Sequence, residues 1–552
     1  MTNIHISIQR LQKYLGKTVG NDRLQKQVAM MGTDVDGIDG DTLTVEIFPN
    51  RPDLLNFHGF ARALAAFLDM KPGIKLYDVD ESKKEEYKVI IDSSVESVRP
   101  YTVCAVVSGL SFTDENIKEI IELQEKLHMS FGRNRKRLAI GIYPMESIAM
   151  PIRYLAKKPE DIVFTPLESR VPMNGYEILQ EHPTGKEYAH LLEGMKAYPI
   201  FIDANNQILS MPPIINSEKT GRVSENTKDV FIECSGHNVH VLEQSLSMIA
   251  CVLADMGGKV HAMTIQREDK KMQTPQLSPK KIKVSESYIQ KVLGIKPNNI
   301  ADLLARMNMS LEEKNEDELT ILYPAYRTDI MHPIDIVEDI AIAYGYDNIP
   351  QELPNISTVG KEAPIEITRR HLAALLVGHG LMETSTYHLV TEDACKKVWG
   401  DDVSLLKVKD AKTEYKVLRK DMLTSMLLVL TNNLHHEYPQ HIFEMGNVFY
   451  VDEKAMQKVL DRPVLSIMLA EQDVNFTKVR QLIDDVFASF GIQATFAPSE
   501  DERFISGRAA DMMLDNRKIG ALGELHPKII SAYGIEVPVA AAEVDLSVFL
   551  QE

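Results

Sequence analysis

Four carboxylates, Asp329, Asp335, Glu338 and Asp339, stand within eleven residues of one another in the stretch 326–350. His332 followed by Pro333 reads as an N-cap and first helical position, and Gly345 reads as the stop, so the spacing predicts a helix over 333–344. At 3.6 residues per turn, Asp335, Glu338 and Asp339 share a face, while Ile336, Val337, Ile340 and Tyr344 cover the buried side. Asp329 lies in the approach to the helix, where the chain can fold it back toward that face. Like charges at i, i+3 and i+4 repel, and two chemistries offset the repulsion. One is the helix dipole, which favours acids in the first turns by ~0.3–1 kcal/mol each. The other is an all-oxygen site for a hard divalent cation such as Mg²⁺, which takes carboxylates and keeps several waters.

A cluster of opposite sign, Arg133, Arg135, Lys136 and Arg137, directly precedes the apolar run 138–142. The net charge of −18 excludes non-specific polyanion binding by the chain as a whole, because such affinity comes from cations displacing condensed counterions. RNA contact must then be local, and these four cations are the phosphate-contact candidates; the ordinary reading is a solvated face. A third stretch, 208–220, carries Pro212-Pro213 between apolar flanks and reads either as a pocket-lining loop or as the end of an edge strand. No Ser-His-Asp or Cys-His arrangement is evident, which turns any hydrolysis toward a positioned water. Cys104, Cys234, Cys251 and Cys395 are far apart with no Cys-x-x-Cys pair, so they read as buried free thiols.

The elements that must position these groups fall into several domains, since 552 residues exceed a single core at about 150 residues per domain. Residues 1–84 read as an N-terminal α+β domain, with strands over 3–9 and 42–48 and an acidic, glycine-rich stretch 32–41 taken as turns. Residues 85–273 read as a mixed α/β domain, with strands over 87–91, 101–107, 138–142 and 231–234 and amphipathic helices over 114–128 and 241–256. Thr113 is the expected N-cap of the first of these helices. Residues 274–350 form a winged-helix-like unit, with helices capped by Ser285 and Asn299 and a hairpin before the acidic helix. Residues 351–552 read as an antiparallel sheet with helices over 365–379 and 415–434 and strands over 441–449, 464–470, 509–514 and 539–544. The fold class is therefore multidomain α+β. No apolar run approaches the roughly 18–20 residues needed to span a bilayer, and the N-terminus lacks the form of a signal peptide, so the expected compartment is the cytoplasm.

The chain resembles the beta subunit family of phenylalanyl-tRNA synthetase. The matching motifs are Arg327-x-Asp329-Ile330, Asp335-x-x-Glu338-Asp339, Tyr344-Gly345-Tyr346-x-x-Ile349-Pro350, Asn50-Arg51-Pro52-Asp53, the run 211–217 and Asn226-Thr227-x-x-Val230-Phe231-Ile232-Glu233. Segments 441–449 and 520–527 resemble the family's class II synthetase-like module. The resemblance spans essentially the whole chain and is to the shorter archaeal type, without the oligonucleotide-binding barrel and anticodon-binding domain of bacterial members.

The resemblance implies a ligase that joins phenylalanine to tRNA(Phe) with ATP, assembled with an alpha subunit as an (αβ)₂ heterotetramer. It places Mg²⁺ on Asp329, Asp335, Glu338 and Asp339. It also implies hydrolytic editing of mischarged Tyr-tRNA(Phe), because a pocket that accepts phenylalanine rejects one added hydroxyl poorly and a second site supplies the discrimination. Asn216, Ser217, Glu218 and Glu233 are the expected editing residues. The Phe/His-Arg-x-Glu setting of class II chemistry is missing, so the 351–552 module is expected to be catalytically inactive, with ATP bound on the alpha chain. One departure stands out: where the family commonly carries Gly-x-His-Asp, this chain has Gly141-Ile-Tyr-Pro144. The competing readings are a scaffold that binds tRNA and the alpha chain without editing, and a Mg²⁺ phosphohydrolase, for which no phosphate-gripping motif accompanies the carboxylates.

Overall fold

In the computed structural model, which describes residues 2–268 and 270–550, the chain divides into two compact units, Met1–Leu353 and Pro354–Glu552. The first begins with a three-stranded antiparallel sheet in the order Thr2–Ser7, Thr42–Ile47, Asp34–Asp39. Alternation along the first strand buries Ile4 and Ile6. Ser7 then caps the helix Ile8–Leu15, which stops at Gly16 in the left-handed conformation (φ 71°). The acidic stretch read as turns is instead the strand Asp34–Asp39. It pairs with Thr42–Ile47 through a bulge between Val35 and Gly37, and its alternating acids sit along an edge.

The middle of this unit is built on two sheets. One has five strands in the order Val79–Asp80, Lys259–His261, Tyr101–Ser108, Val230–Gly236, Leu138–Pro144; the other has seven and contains the Ile208–Met211 and Ile215–Asn216 hairpin at one edge. Both faces of the five-stranded sheet are covered. Val103, Ala105, Val107, Ile140, Ile142, Val230, Ile232 and Cys234 point into a core shared with the helices Asp114–Met129 and Val239–Asp255. Cys104, Val106, Tyr143 and Phe231 point the other way, into a core shared with the seven-stranded sheet. Thr113 caps Asp114–Met129, its hydroxyl accepting the Asn116 N–H at 3.2 Å.

The rest of the unit holds a three-stranded sheet in the order Lys280–Ser285, Glu318–Tyr323, Ser310–Asn315, with helices Glu286–Leu293, Ile300–Arg306 and Pro333–Tyr344. Ser285 caps as expected. Asn299 occupies the N-cap position of the next helix but adopts φ 56°, and its side chain makes no capping bond. The acidic helix runs over the predicted residues, and Ile336, Val337 and Ile340 are buried.

The second unit is a seven-stranded sheet in the order Met382–Glu383, Gln440–Val451, Val459–Ala470, Val539–Asp545, Arg517–Leu525, Phe504–Leu514, Thr495–Pro498. It is antiparallel except for its first pair. Alternation along Val459–Ala470 sends Leu465, Ile467 and Leu469 toward the helices Pro364–Gly378 and Phe476–Ser489, and Val464 and Met468 toward Leu423–Asn432. The helix expected over 415–434 is shorter than predicted. Val417–Leu418 pairs as a strand with Leu389–Val390, and the Asp421 carboxylate accepts the Thr424 N–H at 2.6 Å, which starts the helix at Leu423. All four cysteines are free and buried. Among the described residues no helix is long and apolar enough to cross a membrane.

Candidate functional site

In the first unit a cavity of about 540 Å³ opens between the five-stranded sheet, the end of helix Asp114–Met129 and the hairpin at Pro212-Pro213. Glu233 lies in its wall and is 2% exposed. Period-2 alternation explains its direction: on the strand Val230–Gly236 it shares the face of Phe231, between the sheets. Its register partners are Gly141 on one side and Cys104 on the other. Gly141 is required here by space, since a Cβ at that position would stand 2.6 Å from Glu233 Oε1.

Burial pushes the Glu233 carboxyl up to about 8, with the charge of Arg99 and the nearby hydroxyls of Tyr143 and Ser235 opposing it. The group is therefore mostly protonated at neutral pH. Arg99 does not neutralise it by pairing, because its guanidinium donates to the hydroxyl and carbonyl of Ser235 at 3.2 and 2.6 Å. The Tyr143 hydroxyl lies 3.2 Å from Glu233 Oε1 and 3.2 Å from Asn216 Oδ1, and with one hydrogen it donates to one of them at a time. Glu233 Oε2 has no well-formed hydrogen bond among the described residues.

The opposite wall is polar as well. Arg135 donates to the Ile214 carbonyl at 2.8 Å and to both Glu125 carboxylate oxygens at 3.0 and 3.2 Å, and it lies over the Tyr188 ring at 4.3 Å. Ile140 N–H donates to His128 Nε2 at 2.8 Å, which leaves the His128 proton on Nδ1, facing Glu125 Oε1 at 3.2 Å. Burial holds the His128 imidazole below its usual range. Burial tends to raise Glu125, but His128 and Arg135 outweigh it and lower that carboxyl.

Of the four residues expected in the pocket, Glu233 and Asn216 line the cavity. Ser217 is buried behind it, its N–H donating to the Leu209 carbonyl. Glu218 is engaged with the Arg222 guanidinium at 2.6 and 3.0 Å and accepts the Glu168 N–H at 2.9 Å. The basic run divides similarly: Arg133 and Lys136 are exposed, whereas Arg135 belongs to the cavity wall. The run closes the helix end through three consecutive left-handed residues, Arg133, Asn134 and Arg135, and this reversal turns Arg135 inward. Glu125, His128 and Tyr143 were not singled out from the sequence. Their only local signals were an acid and a histidine one turn apart at a helix end, and a tyrosine in the departing Gly-x-Tyr-Pro run.

The acidic helix is organised around a guanidinium. Arg327, 2% exposed, donates to Asp329 through two bonds at 2.8 and 2.7 Å and to Asp339 at 2.7 Å. A second Arg-x-Asp pair, Arg51 to Asp53 at 2.9 and 2.9 Å, adds its field. Burial opposes ionisation of Asp329, but Arg327 and Arg51 outweigh it and pull the carboxyl down to about 2. Asp335 Oδ2 turns back to accept the N–H groups of Met331 and His332 at 2.8 and 2.6 Å. Asp335, Glu338 and Asp339 lie within a 100° arc of the helix, and the boundary of burial crosses it: Asp339 is buried, Asp335 half-buried and Glu338 exposed. Among the described residues no group of three or more His, Cys, Asp or Glu side chains is gathered as an ion cage. Asp335 Oδ1 and the Glu338 carboxylate remain as hard oxygen donors of the kind Mg²⁺ takes when it keeps several waters.

In the second unit the deepest arginines are paired. Arg419 donates to Glu444 at 2.9 Å and Arg503 to Asp501 and Glu543 at 2.7 and 3.0 Å.

Known proteins match this chain over nearly its full length. Residues 282–346 match the tRNA synthetase B5 domain and residues 349–546 the phenylalanyl tRNA synthetase beta chain CLM domain. The phenylalanine–tRNA ligase beta subunit of Archaeoglobus fulgidus is 36% identical over 546 residues, covering 97% of each chain. That of Thermococcus sibiricus is 36% identical over 504 residues, covering 91% of this chain and 89% of its own. A crystal structure of an N-terminal fragment of the Pyrococcus horikoshii phenylalanyl-tRNA synthetase beta subunit superposes with a TM-score of 0.59 at 34% identity, covering 62% of this chain and 99% of the fragment. The chain therefore belongs to the phenylalanine–tRNA ligase beta subunit family.

Proposed function

We propose that this beta subunit of an aminoacyl-tRNA ligase hydrolyses Tyr-tRNA(Phe) in the cavity at Glu233. The observation that carries the reading is the buried, largely protonated Glu233 with Oε2 left unmatched. A phenol hydroxyl entering the cavity satisfies that oxygen, whereas a phenylalanine ring leaves it unpaired, and a site built to hydrogen-bond a hydroxyl rejects the analogue that lacks it. Tyr143 and Asn216 fix the carboxyl by the hydroxyl they share, and hydrolysis proceeds by a positioned water. Arg133 and Lys136, exposed on the loop that carries Arg135, contact RNA phosphate at the cavity mouth. In the assembled enzyme, Glu233→Ala is expected to accumulate Tyr-tRNA(Phe) during aminoacylation with tyrosine supplied. No accumulation would favour the scaffold reading, in which the chain binds tRNA and the alpha subunit only.

Amino-acid activation with ATP is assigned to the alpha subunit of an (αβ)₂ assembly in the cytoplasm, a reading supported by the consumption of Arg419 and Arg503 in carboxylate pairs. The isolated chain should then give no phenylalanine-dependent ATP–pyrophosphate exchange. Mg²⁺ is assigned to the acidic helix, on Asp335 and Glu338 with Asp329 and Asp339 behind them, at the contact with the alpha chain. The exposed apolar side chains of Met331, Ile334 and Tyr346 near these acids support a contact there. The ion would supply charge neutralisation between subunits. Unchanged Mg²⁺ binding in Asp335→Ala would remove the assignment.

A further inference from the structure

Three residues that end three strands of the five-stranded sheet meet side by side: Ser108 of Tyr101–Ser108, His261 of Lys259–His261 and Asp80 of Val79–Asp80. None of them lines the Glu233 cavity. The pairing sets His261 beside Asp80 on one neighbour and beside Val106, two residues from Ser108, on the other. Alternation then puts all three side chains on the face turned toward the seven-stranded sheet. No contiguous motif announces the arrangement, because each member comes from a different strand.

His261 Nε2 lies 2.6 Å from Ser108 Oγ, and His261 Nδ1 lies 3.4 Å from Asp80 Oδ2. A carboxylate facing Nδ1 draws the imidazole proton to that nitrogen, which leaves Nε2 to accept the serine hydroxyl proton. The Nδ1 contact is longer than a formed hydrogen bond, a spacing common in catalytic arrangements before substrate closes them. Lys259 and Ser82 hold the Asp80 carboxyl well below the usual carboxylate range, so it stays charged. His261 is 5% exposed, and burial keeps its imidazole below the usual range against the opposing charge of Asp80. The ring is therefore neutral at physiological pH and able to act as a base. The other charges around it are Lys259, Lys83 and Asp229, and the Tyr87 ring packs against it edge-on at 5.7 Å.

The surroundings select the acyl donor. The N–H groups that follow the serine are engaged, Gly109 with the Asp229 carboxylate at 2.9 Å and Leu110 with the Lys228 carbonyl at 2.8 Å, so neither stabilises an oxyanion on an ordinary ester. An acyl group that is already activated needs less of that help. The exposed ammonium groups of Lys83 and Lys259 favour a leaving group that carries negative charge.

We propose that Ser108 is a modification site, a nucleophile acylated by acyl phosphates, the mixed anhydrides of a carboxylic acid and phosphate. Ser108 Oγ attacks the carbonyl carbon while His261 Nε2 takes the hydroxyl proton. The bond from the carbonyl carbon to the phosphate oxygen breaks, phosphate leaves with the electron pair and receives that proton, and an O-acylserine remains. Asp80 is a positioning residue that holds the tautomer. The serine ester is unactivated and accumulates.

The test incubates the full chain with acetyl phosphate and follows the acetyl group by peptide mass spectrometry, with alkaline hydroxylamine separating labile serine esters from stable lysine amides. The expected result is a hydroxylamine-labile acetyl group on Ser108, formed at least tenfold faster than on any other serine and lost in Ser108→Ala. His261→Gln should slow it roughly hundredfold, the scale of general-base catalysis. In wild type the rate should rise with pH as His261 loses its proton, and Asp80→Asn should move that inflection to lower pH, since Asp80 is the charge that favours the imidazolium. Unfolding midpoints near the wild-type value establish that each variant is folded. Ser108 acetylated no faster than other serines in the wild-type chain overturns the proposal, as does an unchanged rate in folded His261→Gln. An inflection unmoved in Asp80→Asn removes Asp80 from the arrangement and overturns the three-residue assignment.

Discussion

Tyr143 and Glu233, ninety residues apart, meet on adjacent strands with the phenol oxygen 3.2 Å from carboxyl Oε1. The strand pairing brings Glu233 opposite Gly141, and the absent side chain at 141 leaves the gap that the two polar groups fill. A tyrosine hydroxyl in this gap gives an uncharged carboxyl a fixed orientation at the cost of one hydrogen bond.

That carboxyl should be visible in the pH dependence of stability. Its pKa is raised to about 8 in the folded chain against an ordinary 4.5 unfolded. The native state therefore binds the extra proton between these values, and stability falls as pH rises through about 8. At ~1.4 kcal/mol per unit the loss is a few kcal/mol. Glu233→Gln should flatten the decline in unfolding midpoint between pH 6 and 9, measured as a difference from wild type; parallel curves would contradict the shift.

Gly141→Ala should close the gap, since the new methyl group meets both Glu233 and the Tyr143 ring. Overpacking of this kind costs about 1–3 kcal/mol. Chemical denaturation checks the magnitude, and binding of tyrosinamide should weaken by more than stability alone accounts for.

Arg135 and its neighbours should separate by function. Arg135→Ala removes the bonds to the Ile214 carbonyl and the half-exposed Glu125, an effect of about 1–2 kcal/mol once solvent screening is allowed for. It should also loosen the cavity mouth. Arg133→Ala and Lys136→Ala should leave stability within about 0.5 kcal/mol and instead weaken tRNA binding with a shallower salt dependence.

Arg327→Met should be the most damaging of these changes. It leaves Asp329 and Asp339 buried without their shared cation, and breaking a buried pair from one side costs about 3–5 kcal/mol. Because Asp329 is held near 2 in the wild type, its contribution persists down to about pH 4 and is lost as pH falls through 2. Acid unfolding of the variant should accordingly lack that final decline.

Legibility in the sequence followed locality. The acidic helix was readable because its cap, stop and periodicity are contiguous, and Thr113 and Ser285 were readable as caps for the same reason. The partner of its carboxylates was not weighed, although Arg327 stands two residues before Asp329; what pairing it would choose depended on burial. The helix over 415–434 is shorter than its apolar periodicity predicts because Val417 pairs with a strand nearly thirty residues away, a tertiary contact, while the local Asp421 side-chain bond to the Thr424 N–H marks where the helix starts. Glu233 and Asn216 were placed in the cavity by resemblance, and Glu218 and Ser217 beside them fell outside because alternation and a four-residue salt bridge turn them away. Arg135 read as one of four equivalent cations until three left-handed residues reversed it.

The most direct measurement is the first-order deacylation rate of preformed Tyr-tRNA(Phe) by the assembled αβ enzyme, compared between wild type and Glu233→Ala at neutral pH. The account predicts rapid hydrolysis by wild type, slow hydrolysis of Phe-tRNA(Phe), and at least a tenfold loss on Tyr-tRNA(Phe) in the variant with phenylalanine attachment preserved. Equal deacylation by the two enzymes, or equal wild-type rates on the two charged tRNAs, would contradict it.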